Sequence, residues 1–226
     1  MKIPKVKALL FMKHNSERVP RKNMRDFCGR PLFHWIMDSL NMSQYVSEII
    51  INTDSEEIAK NARDNFIVTI HMRPEYLLTI NSNEANLIME HDLSITEGDY
   101  FFQTHSTNPL LTTKSIDKSI ETFFQDDKHD SLFSVTPIQK RFFHEDGTPI
   151  NHDPTKLIKT QDLEYIYEEN SCIYIFSRES FSLTKNRIGK KPKLFPTGRI
   201  ESVDIDDMDD FQWAEFLKLK QMKYEK

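Results

Sequence analysis

The chain of 226 residues is poor in the residues that mark several common functional classes. Its two cysteines, Cys28 and Cys172, fit no metal-ligand spacing, and a disulfide between them is not expected in a reducing compartment. Cys172 sits in an apolar run and reads as a packed core residue. There are only five glycines. None belongs to a G-x-G-x-x-G turn or a Walker A loop, which disfavours dinucleotide binding and P-loop chemistry. Long apolar runs are absent and mean hydropathy is −0.57, so no membrane partner is expected. The N-terminal residues lack the apolar core of a secretory leader, and the protein is expected to be cytoplasmic. A net charge of −5 gives no global basic field for nucleic acid. No Ser/His/Asp or Cys/His arrangement is visible, and His105 has no evident partner as a base or metal ligand.

What is present is a regular alternation. Strand-like runs at residues 5–12, 48–52, 66–70, 100–104 and 131–136 alternate with helix-like segments at 31–40, 56–64, 83–96 and 113–125. The helical segments repeat apolar residues three and four apart, as in Leu32, Trp35, Ile36 and Leu40. Thr53-Asp54-Ser55 offers N-cap chemistry for the helix at 56–64, and residues 75–82 read as a loop. Such alternation predicts a parallel, three-layer α/β/α sheet in one domain spanning residues 1–226. Residues 139–169 break the pattern; they are polar and carry turn signals at Asp146-Gly147 and Asp153-Pro154, as an antiparallel excursion or a flap would. A strand at 171–176, a short helix at 178–184, a basic stretch at 185–193, strand-like alternation at 200–206 and a last helix at 209–222 follow.

Two stretches concentrate charge. The first is the loop after the opening strand, where Lys13, Arg18, Arg21 and Lys22 crowd together in an acidic chain. Like charges so close repel, and an anion such as a triphosphate relieves them. Its position, at the C-terminal end of the first strand, is where open α/β sheets bind phosphates. The plain alternative is a solvated charged loop. The second is Val203-Asp204-Ile205-Asp206-Asp207. On a strand, Asp204 and Asp206 share a face with carboxylates roughly 6–7 Å apart, which suits Mg²⁺ held together with substrate phosphates. Helix capping by Asp206 or Asp207 is the competing explanation.

Taken together, the motifs resemble those of the CMP-sugar synthetases, the cytidylyltransferases that activate sialic acids (acylneuraminates) and the related acid Kdo. Lys13-x-x-Ser16-x-Arg18-x-Pro20-x-Lys22-Asn23 looks like the family's first-loop fingerprint, and Gly29-Arg30-Pro31-Leu32 continues it. Asn52-Thr53-Asp54 is similar to its S-T-D, Gln103 with Asn108-Pro109-Leu110 to its Q-x-T-S-P-L, and Asn170-Ser171-Cys172-Ile173-Tyr174 to its N-G-A-I-Y. Arg73-Pro74 and Ser202-Val203-Asp204-Ile205-Asp206 complete the series, in order, over essentially the whole chain. The sequence departs from the pattern at several positions. Lys13 replaces the leading arginine, Glu17 the motif lysine, and Leu111 the arginine after P-L. Asn15 and Arg18 stand where the loop has glycines, Arg18 as in the Kdo branch.

The resemblance implies a mostly parallel Rossmann-like sheet of the nucleotide-diphospho-sugar transferase type, with the segment 139–169 as a dimerisation excursion in a homodimer. It implies CTP and a small acidic sugar as substrates and Mg²⁺ as cofactor. By the same carry-over, Lys13, Arg18, Lys22 and Asp206 are catalytic candidates, with Ser16, Asn23, Arg73 and Ser82 as further nucleotide contacts. Gln103, Tyr174, Lys140 and Arg141 fall to the sugar, with Lys159 as another candidate cation, and Asp204 and Asp206 to the metal. Glu17 and Leu111 motivate an alternative acceptor, a phosphonate or sugar phosphate; a non-catalytic nucleotide binder is the remaining alternative.

Overall fold

The computed structural model describes residues 3–79 and 85–224. The chain opens with β1 (Val6–Met12), whose residues are buried on both faces as a central parallel strand requires. A two-stranded ribbon, β2 (Asp26–Phe27) and β3 (Arg30–Pro31), precedes α1 (Phe33–Asn41). Next come β4 (Val46–Thr53), α2 (Glu56–Asn65), β5 (Thr69–Met72), α3 (Ala85–Ile95), β6 (Tyr100–Thr104), α4 (Thr113–Phe123) and β7 (Ser131–Ile138). The chain ends with β8 (Ile166–Ser177), α5 (Arg178–Thr184), β9 (Pro192–Pro196) and α6 (Met208–Tyr224). Of Thr53, Asp54 and Ser55, it is Ser55 that caps α2, accepting a bond from the Ile58 amide.

Seven strands form one sheet in the order β5-β4-β1-β6-β8-β7-β9. β8 runs antiparallel to both its neighbours, and the other pairings are parallel. The register sets Met12 beside Thr53 and Leu10 beside Thr104, so β1, β4 and β6 end at one edge. Helices α1, α2 and α4 bury Phe33, Ile36, Ile58, Ile116 and Ile120 on one face of the sheet. Helices α3 and α5 bury Met89, Leu93 and Phe181 on the other. The expected three layers are present, with one strand reversed.

A third apolar cluster lies outside the sheet. It joins Val19 of the first loop, Phe27 and Leu32 near the β2–β3 ribbon, Leu110, Ile205, and Phe211 and Ala214 of α6. Phe27 and Phe211 meet edge to face at 5.3 Å. This cluster packs the two ends of the chain together.

Four sequence expectations are corrected. Residues 200–206 form no strand; the segment turns, with Ser202 N donating to Gly198 O at 3.0 Å, and docks through Ile205 N to Thr107 O at 3.1 Å. Its alternation arises because Ile205 and, in part, Val203 pack on the third cluster while Asp204 and Asp206 line a cleft. A strand does form at β9, starting where the basic stretch ends, and its prolines are tolerated because β9 is an edge. The strand expected at 66–70 lies at Thr69–Met72. The strands expected at 131–136 and 171–176 are longer: β7 runs to Ile138 and β8 begins at Ile166, pairing antiparallel and leaving a tip at 139–165 with an isolated bridge between Phe143 and Pro149. No helix among the described residues is long and apolar enough to cross a membrane.

Candidate active site

The first loop leaves β1 at the sheet edge and is tied down at its base. Asn23, which is buried, donates to Lys13 O at 2.8 Å and accepts from Ser106 Oγ at 2.5 Å. His14 N donates to Asp54 Oδ1 at 2.6 Å, and the His14 ring meets Ser55 Oγ at 2.9 Å. Arg21 adopts a left-handed conformation (φ 54°) and turns the chain into Lys22. The four cations then divide. Arg21 pairs with Glu57 of α2, Arg18 Nη2 with Asp206 Oδ1 at 2.6 Å, and Lys13 is exposed. Lys22 is buried and donates from Nζ to Ile205 O, between the two aspartates. Burial pulls its pKa below the ordinary lysine value; Asp204 and Asp206 partly offset this. Ser16 is half-buried and Glu17 exposed.

Asp204 has the opposite bias. Burial raises its pKa, and the charge of Asp206 adds to the rise. A hydrogen bond from Thr107 and the charge of Lys22 work against it. Asn108 Nδ2 lies 3.4 Å from Asp204 Oδ1, and the buried Asn108 Oδ1 has no hydrogen-bond partner among the described residues. Two repelling carboxylates beside an unpartnered carbonyl oxygen form a donor set that suits a hard divalent cation. Among the described residues no group of three or more acidic, His or Cys side chains could hold a metal alone. The set therefore fits Mg²⁺ only in company with substrate oxygens, as that ion prefers.

Asp204 and Asp206 line a cleft of about 510 Å³ with Lys140, Glu169, Ser171 and Arg199. β8 reaches this cleft through a bulge: the register with β7 slips between Phe133 and Val135, and Ser171 takes φ 57°. Asn170 locks the bulge by accepting from Ser134 Oγ at 2.6 Å and donating to Thr136 Oγ1 at 3.0 Å and Thr197 Oγ1 at 2.6 Å. Ser171 occupies the glycine position of N-G-A-I-Y, and the left-handed backbone there supplies a physical reason for a glycine.

The remaining candidates scatter in role. Gln103 and Tyr174 are adjacent across β6 and β8, both buried. Arg73 is buried and braces strand ends, donating from Nε to Asn52 Oδ1 at 2.8 Å and from Nη2 to Met12 O at 3.3 Å. Arg141 turns to Ile158 O within the hairpin tip. Ser82 lies outside the described residues. Leu111, at the position where the family pattern has an arginine, is packed in the main core and does not line the cleft that holds Asp204 and Asp206. Sequence reasoning missed Arg199, an exposed residue in a turn that carries no motif, and assigned no role to Arg187, which contacts both Gln103 and Tyr174.

The family model described as Cytidylyltransferase matches residues 8–225. The chain belongs to the cytidylyltransferase family. It is 27% identical over 215 residues to the pseudaminic acid cytidylyltransferase of Campylobacter jejuni, covering 89% of this chain and 91% of that protein. It is 28% identical over 233 residues to the CMP-N,N'-diacetyllegionaminic acid synthase of Legionella pneumophila, covering 98% of both. Among solved structures it superposes on CMP:2-keto-3-deoxy-manno-octonic acid synthetase complexed with CTP, with a TM-score of 0.70 at 13% identity. That match covers 96% of this cytidylyltransferase and 99% of the other chain.

Proposed function

We propose that this cytidylyltransferase joins CMP from CTP to a sugar acid of the nonulosonate or Kdo type and releases pyrophosphate. The observation that carries the reading is the convergence of the Lys13–Asn23 loop with Asp204 and Asp206, held by Val19 and Ile205 in one apolar cluster. The family supplies the nucleotide, and the relatives named above act on acids of this kind.

In the proposed reaction the anomeric hydroxyl oxygen forms a bond to the α-phosphorus. The bond from that phosphorus to the bridging oxygen breaks, pyrophosphate leaves, and the hydroxyl proton passes to Asp206 or solvent. Lys13, Arg18 and Lys22 neutralise the phosphates as charge builds on the leaving group. Ser16 and Asn23 hold the loop against the nucleotide. Asp204 and Asp206, with substrate oxygens, would hold Mg²⁺, which supplies charge neutralisation at the phosphates. Arg18 stands on Asp206 in this structure, so nucleotide binding draws it toward phosphate and frees the carboxylate. Gln103 and Tyr174 face the acceptor. Phe143, Ile150, Leu157 and Tyr165 leave the hairpin tip with exposed apolar surface, which a second copy of the chain would cover in a homodimer. The cytoplasm, where CTP is at hand, is the location that goes with this reading.

Pyrophosphate release tests the assignment, with Mg²⁺ or chelator, each NTP in turn, and a panel of sugar acids, sugar phosphates and phosphonates. Mg²⁺-dependent release with CTP and a sugar acid is expected. Release only with non-sugar acceptors removes the acceptor assignment, and CTP binding without release for any acceptor removes catalysis.

A further inference from the structure

The loop between α5 and β9 carries a half-buried cation, Arg187, that the proposed chemistry leaves unused. The loop is pinned at both ends. Lys185, at φ 53°, closes α5 through its amide to Phe181 O at 2.7 Å. Farther on, Gly189 N donates to Ser131 Oγ at 2.8 Å, and the Asp130 carboxylate accepts from Lys190 N at 2.8 Å and Lys191 N at 3.0 Å. Only glycine fits at 189, because a Cβ there would lie 2.3 Å from Asp130 Oδ1. Arg187 is thereby delivered to Tyr174, with its guanidinium carbon 3.6 Å from the ring centroid.

The guanidinium is half used. Nη1 donates to Gln103 Oε1 at 2.7 Å and lies 3.3 Å from His105 Nε2. Gln103 Nε2 lies 3.2 Å from the same His105 nitrogen. Two donors on one ring nitrogen require a neutral imidazole, and burial with the charge of Arg187 pushes the His105 pKa down to about 3. His105 is therefore an acceptor that orients Arg187 and Gln103. The Nε and Nη2 edge makes no hydrogen bond among the described residues. Nη2 comes no nearer to a carboxylate than 4.0 Å, at Glu169 Oε1, and that oxygen already accepts from the Tyr174 hydroxyl. Burial lowers the Arg187 pKa, as expected for a cation short of a counter-charge.

We infer that Arg187 reads the carboxylate of the acceptor, from within the same chain, through its unpaired Nε–Nη2 edge. This rests on the sugar-acid reading above. That edge is the fork that matches a carboxylate with two parallel hydrogen bonds. Its neighbours Gln103 and Tyr174 are the pair that the proposed function assigns to the acceptor. The Tyr174 hydroxyl bonds Glu169 and lies 3.2 Å from Ser171 Oγ, and both residues line the cleft that contains Asp204 and Asp206. Arg187 thus takes a role that sequence reasoning placed on Lys140, Arg141 or Lys159 of the hairpin tip.

The test compares wild type, Arg187→Lys and Arg187→Met by pyrophosphate release, using a sugar acid and its carboxamide analogue. In Arg187→Met the KM for the sugar acid is expected to rise about 10- to 100-fold, the loss of a charged hydrogen-bond pair, while the KM for CTP stays put. The wild-type preference for carboxylate over carboxamide should collapse in the same variant and partly return with lysine. Comparing two acceptors on one protein cancels any general loosening of the Tyr174 wall. An active wild type whose preference survives in Arg187→Met, or a variant that loses both acceptors equally, overturns the role of Arg187 alone. No turnover of any sugar acid by wild type overturns the sugar-acid reading and this inference together.

Discussion

Asp204 is held against its own preference: burial and Asp206 both favour its protonated form. A carboxyl whose folded pKa is raised costs stability once pH exceeds the ordinary value, and the cost is complete above the raised one. Asp204→Asn removes that charge and keeps the shape. The variant is expected to unfold at higher urea than wild type at pH 7 without divalent cations. Its advantage should shrink as pH falls toward the ordinary aspartate value of 3.8, because wild-type Asp204 then takes up its own proton. Millimolar Mg²⁺ should narrow the gap at pH 7 by stabilising wild type, and pyrophosphate release should be lost in the variant. An advantage that widens in acid reverses the sign and removes the account. The Asp204/Asp206 pair and the cationic loop were legible in the sequence because each is a short local motif. Arg187 was not, because its role depends on Asp130, Gln103 and Tyr174, brought to it only by the folded chain.

Among elements, β8 is where local pattern and tertiary demand part. Residues 171–176 read as a strand because they are apolar and continuous, and they are one. The arm before them, from Ile166, is polar and partly exposed, so nothing in its composition distinguished strand from loop. The fold pays for the bulge between the two parts with a serine at φ 57°. Left-handed backbone costs an L-residue roughly 1–2 kcal/mol, and glycine escapes most of it at a smaller entropic cost. Ser171→Gly is therefore expected to stabilise by about 0.5–1 kcal/mol in urea titration. Tyr174 would keep Glu169 as its acceptor. A loss of stability would show that the contact between Ser171 Oγ and the Tyr174 hydroxyl outweighs the strain. The segment 200–206 teaches the converse lesson. Its period-two alternation was real, but Ile205 is buried in a cluster beside α6 and not in a sheet, and periodicity alone does not identify what covers a face.

At the level of the whole molecule, the site exists because the chain's two ends meet. Val19 sits next to Arg18, and Ile205 sits between Asp204 and Asp206; both side chains are fully buried in the cluster that α6 closes. Apolar packing thus aligns the cationic loop with the carboxylates, whose exposed Arg18–Asp206 pair is too solvated to do so itself. Ile205→Ala is expected to cost about 2–5 kcal/mol, and Val19→Ala a similar or smaller amount. Because both residues belong to one cluster, their effects should not add: the double variant should lose less than the sum by about 0.5 kcal/mol or more. Where each protein remains folded, the KM for CTP should rise in both single variants, since either truncation loosens the loop against the aspartates. Additive stability losses with an unchanged KM for CTP would mean that the two ends are positioned independently, and the loop would then owe its place to its polar ties, Asn23 with Ser106 and His14 with Asp54 among them.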